Sequence, residues 1–62
     1  MTADYNMSMR KFLKQVGVTS QQAIEAALRD APEGAAYAVK AVVTIEALDM
    51  THEVDGTIAP DA

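Results

Sequence analysis

The chain has 62 residues and a formal net charge of −4, room for one small domain and no second. Half of it is hydrophobic, but twelve of those residues are alanine and nineteen are larger; with no cysteine for a disulfide or a thiolate metal site, oligomerisation is the support left open to so small a core. The acidic balance, with a pI near 4.6, argues against nucleic-acid binding through overall charge, which needs clustered Lys and Arg.

The first periodic segment predicts a helix over about residues 7–16. Met9, Phe12, Leu13 and Val16 recur at i, i+3, i+4 and i+7, which makes one apolar stripe. Arg10, Lys11 and Lys14 fall on the other side of it. Asn6 or Ser8 suits the N-cap, and Gly17 reads as a left-handed stop. A second helix is expected over about 20–31. Thr19-Ser20-Gln21-Gln22 has the capping-box form. Ile24, Ala27, Leu28 and Ala31 make its stripe, and Glu25 and Arg29 are an i, i+4 pair. Pro32 ends it, because proline disfavours helical geometry in the residue before it. The first half therefore reads as a helical hairpin or a helix-turn-helix.

From Tyr37 the period changes from 3.6 to 2. Val39, Ala41, Val43 and Ile45 alternate with Lys40, Val42, Thr44 and Glu46. Met50, His52, Val54, Gly56 and Ile58 alternate with Thr51, Glu53, Asp55 and Thr57. Two such runs predict an antiparallel hairpin with strands at about 39–47 and 50–58. A loop at Leu48-Asp49 sets Ile45 opposite His52, Val43 opposite Val54 and Val39 opposite Ile58. Leu-Asp is poor chemistry for a two-residue turn, which favours a longer loop. Residues 1–5 and 59–62 are expected to fray. The whole reads as one α+β domain over 1–62, in the order α-α-β-β. The helical hairpin packs on one face of the β-hairpin, and dimerisation completes a four-stranded sheet.

Charge is unevenly spread. Residues 1–16 set Asp4 against Arg10, Lys11 and Lys14, whereas residues 35–62 set Lys40 against Glu46, Asp49, Glu53, Asp55 and Asp61. The longest apolar runs, Ala35–Val39 and Ala41–Val43, fall far short of the ~18 residues of a membrane span. Met1–Tyr5 has no signal-peptide character. A cytoplasmic protein without membrane contact is the expectation.

Little in the chain can carry chemistry. The stretch around Leu13, Gly17, Val18, Ala23 and Ile24 has helix-turn-helix spacing, but its recognition helix would offer one arginine, Arg29, against Glu25 and Asp30. His52 is the only histidine and lies by parity on the apolar side of the hairpin, opposite in facing to Glu53 and Asp55. That makes a shared metal site awkward. No serine or threonine has a base beside it in any recognisable pattern, and three scattered glycines make no phosphate loop. No catalytic residue, metal or cofactor is expected. Arg10, Lys11 and Lys14 form a candidate interaction surface. Val39, Ala41, Val42, Val43 and Ile45 form a candidate dimer strand.

The run Asn6-Met7-Ser8-Met9-Arg10-Lys11-Phe12-Leu13-Lys14-Gln15-Val16-Gly17-Val18-Thr19-Ser20-Gln21-Gln22, continuing through Ile24-Glu25, resembles the N-terminal signature of a family of short bacterial proteins classed as a domain of unknown function. Val42-Val43-Thr44-Ile45-Glu46 and Thr51-His52-Glu53-Val54-Asp55-Gly56 resemble it more loosely. The resemblance brings no activity, substrate or site residue with it. The functional expectation is a small non-catalytic interaction or structural module, homodimeric, which binds neither nucleic acid nor membrane and has an unidentified protein as its other possible partner. The alternative is a small helix-turn-helix DNA-binding regulator.

Overall fold

A computed structural model describes residues 4–61. The chain is α+β, one long helix followed by an antiparallel hairpin of two strands. It divides into two compact units, Met1–Ala31 and Pro32–Ala62.

The first unit is built on α1, Asn6–Leu28, a single helix of 23 residues. The expected break at Gly17 does not occur. Gly17 lies inside the helix, and a Cβ placed there would meet nothing within 4 Å. The energetics favour continuity. A glycine in mid-helix costs about 1 kcal/mol relative to alanine. A break would leave about four N–H and four C=O groups to be satisfied again. Thr19, expected to cap a second helix, instead donates its hydroxyl to the carbonyl of Gln15 at 2.8 Å. That back-bond to residue i−4 lets a threonine sit within a helix. Asn6 and Ser8 are also helical rather than caps. The Asp4 carboxylate takes the Asn6 N–H at 2.9 Å, and the Ser8 hydroxyl donates to the carbonyl of Tyr5 at 3.2 Å. The helix stops at Leu28, three residues short of the expected end. The N–H of Ala31 closes back on the Leu28 carbonyl at 3.2 Å, and Pro32 follows.

In the second unit Gly34 takes φ +85° and turns the chain into the sheet. The Tyr37 hydroxyl donates to the Pro32 carbonyl at 3.2 Å. Strand β1, Tyr37–Ile45, pairs with β2, Met50–Ile58. Between them Glu46–Leu48 forms a single 3-10 turn, and Asp49 closes it in the left-handed region, φ 51°, with its N–H on the Glu46 carbonyl at 3.1 Å. Aspartate tolerates that conformation better than most residues with a Cβ.

The register sets Tyr37 opposite Ile58, Val39 opposite Gly56, Ala41 opposite Val54, Val43 opposite His52 and Ile45 opposite Met50. This corrects the expected pairings by two residues. β1 also starts and ends two residues earlier than expected. The two faces survive the correction, because a slip of two preserves the alternation that a slip of one would invert. The expected fraying falls outside the described residues for 1–3 and 62. Of the remainder, Asp4 is held by its bond to Asn6, and Ala59–Asp61 belong to no helix or strand.

Candidate interaction surfaces

No described residue is buried. The informative features are therefore surfaces, and each unit presents one.

On α1 the unbroken helix joins the two stripes that the sequence separates. At about 100° per residue, Met9, Phe12, Leu13, Val16, Ser20, Ala23, Ile24 and Ala27 fall within an arc of about 120°. Met9, Phe12 and Leu13 are each more than half exposed, at 54, 52 and 52%, and only Val16 and Ile24 within this arc are partly covered. The stripe is graded in bulk. Its N-terminal half carries a methionine, a phenylalanine, a leucine and a valine, whereas its C-terminal half carries a serine, two alanines and one isoleucine.

The basic residues singled out from the sequence do gather. Met7, Ser8, Arg10, Lys11 and Lys14 line one shallow open depression. It is formed along one flank of a single helix, so no second wall fixes a ligand's position. Glu25 lies in the same sector of the helix, about three to four turns further on.

On the hairpin one face carries Tyr37, Val39, Ala41, Val43 and Ile45 beside Met50, His52, Val54 and Ile58. Among these, Tyr37, Val39, Val43, Met50 and Ile58 are partly covered, while Val54 and Ile45 stand open at 52 and 43%. The opposite face carries Lys40, Val42 and Thr44 with Thr51, Glu53, Asp55 and Thr57. Lys40 pairs with Glu53 at 3.0 Å, diagonally across the strands. Val42, 54% exposed, is the one large apolar side chain on that polar face. The five residues of the candidate dimer strand thus lie together on β1, four on the apolar face and Val42 on the other.

His52 sits opposite Val43, facing away from Glu53 and Asp55 as the parity requires. Among the described residues no group of three or more His, Asp or Glu side chains could hold a metal ion. A second depression, at the hairpin loop, is lined by Thr44, Ile45, Glu46, Asp49, Met50 and Thr51. Sequence reasoning did not single it out, because its geometry depends on the 3-10 turn. No described helix is long and apolar enough to cross a membrane. The helix-turn-helix reading loses its basis here, since the motif needs two helices set around a turn and α1 runs straight through the place of that turn.

Residues 1–61 match the model of a family described as a family of unknown function, DUF6494. The chain belongs to that family. The match extends the resemblance carried by Asn6–Gln22 to nearly the whole sequence. No curated protein and no solved structure matches the chain.

Proposed function

We propose that the chain is a small non-catalytic assembly module that works as a homodimer, with β1 of each copy paired at the centre of a four-stranded sheet. The observation that carries this reading is the contrast between the two edges of the hairpin. A two-stranded sheet leaves an open row of N–H and C=O groups on both strands, and such a hairpin is marginal alone. β1 carries a single charge, Lys40, in nine residues rich in β-branched side chains, whereas β2 carries Glu53 and Asp55 and the strand-weakening Gly56. Edge charges and glycine oppose pairing, and β1 is the less guarded strand. Antiparallel pairing of two β1 strands centred on Val42 places Val42 opposite its symmetry mate and keeps like faces of the two hairpins on one side of the sheet. Two-fold contacts of this kind are the commonest in homo-oligomers.

The non-catalytic part of the reading rests on the chemistry available. The single histidine faces Val43 rather than an acid, and the carboxylates of β2 lie on the other face. Light scattering coupled to size exclusion tests the assembly, with an expected mass about twice the 6.6 kDa of one chain. Val43→Pro removes a ladder donor in mid-strand, and yields monomer or unfolded chain. A folded monomer of the unmodified chain at high micromolar concentration overturns the reading.

A further inference from the structure

We draw no further inference here: the strongest candidate, the apolar stripe along α1 with Met9, Phe12 and Leu13 more than half exposed, is an unpartnered helix face, and nothing in the structure shows what covers it.

Discussion

The helix and the hairpin lack partners in different ways. Within α1 every backbone group away from the ends is paired inside the element, so what the helix leaves open is side chain, a stripe with Met9, Phe12 and Leu13 more than half exposed. In the hairpin each strand is paired on one side only, so what it leaves open is backbone as well as side chain. A helix can wait in water with an exposed stripe at a cost proportional to apolar area, about 25 cal/mol per Å². A two-stranded sheet is marginal until a third strand or another cover arrives. Under the proposed assembly the second unit depends on the contact more than the first. Dilution should therefore melt the sheet before the helix.

Changes at the backbone sharpen that contrast most. Gly34 holds φ +85° at the approach to β1, a conformation in which a β-branched side chain is strained. Gly34→Val should cost about 1–2 kcal/mol, read as a lower melting temperature for the sheet signal and little change in helical circular dichroism. A variant that melts with the unmodified chain would show that the turn is not needed to launch β1.

Gly17 tests the other unit with the opposite sign. It sits in mid-helix with open space around its Cα. Gly17→Ala should stabilise α1 by roughly 0.5–1 kcal/mol, raising both helicity and melting temperature. A fall in either would restore the helix stop that the local sequence suggests.

That pair of glycines also shows what the sequence makes legible and what it does not. The faces of the hairpin follow from alternation alone, since Val39, Val43, Met50 and Ile58 can share a side only if the pairing keeps its parity. Parity is blind to a shift of two, and the 3-10 turn at Glu46–Leu48 with left-handed Asp49 decides it. Glu46 and Ala47 extend the strand pattern without belonging to the strand. The stripes of α1 are equally legible, but their continuity is not. Gly17 and the Thr19-to-Gln22 pattern are genuine local stop and start signals. They lose because each has an in-helix solution, a tolerable glycine and a threonine bonded to Gln15. The basic cluster is legible as a flank of the helix. Its use is not, because a single helix wall specifies no ligand.

Neutralising that flank should change folding little. Arg10, Lys11 and Lys14 are exposed, and such charges contribute roughly 0–0.5 kcal/mol each to stability. The triple change to glutamine should leave the thermal melt of α1 within a few degrees of its original. An unfolded triple variant would place the basic face inside an interface, which neither surface described above requires.

The smallest effect is expected at the ion pair of the polar hairpin face. Lys40 and Glu53 meet at 3.0 Å with both side chains about half exposed, 57 and 49%. Water and salt screen such a pair, and holding two long side chains together offsets much of the attraction. Lys40→Gln should shift the melt of the isolated chain by no more than ~0.5 kcal/mol. Its interest lies in assembly. Lys40 is the only charge on β1, so removing it leaves that strand with no charge opposing edge pairing. Lys40→Gln should therefore associate at least as tightly as the unmodified chain, read by the concentration dependence of its light-scattering mass. If association weakens instead, Lys40 contributes an intermolecular contact across β1, to an acid such as Glu53 or Asp55 of the other copy. Glu53→Gln alone separates the two cases: an intermolecular contact from Lys40 to Glu53 requires that it weaken association as Lys40→Gln does, whereas a Lys40 that acts only as an edge guard leaves Glu53→Gln associating no more weakly than the unmodified chain.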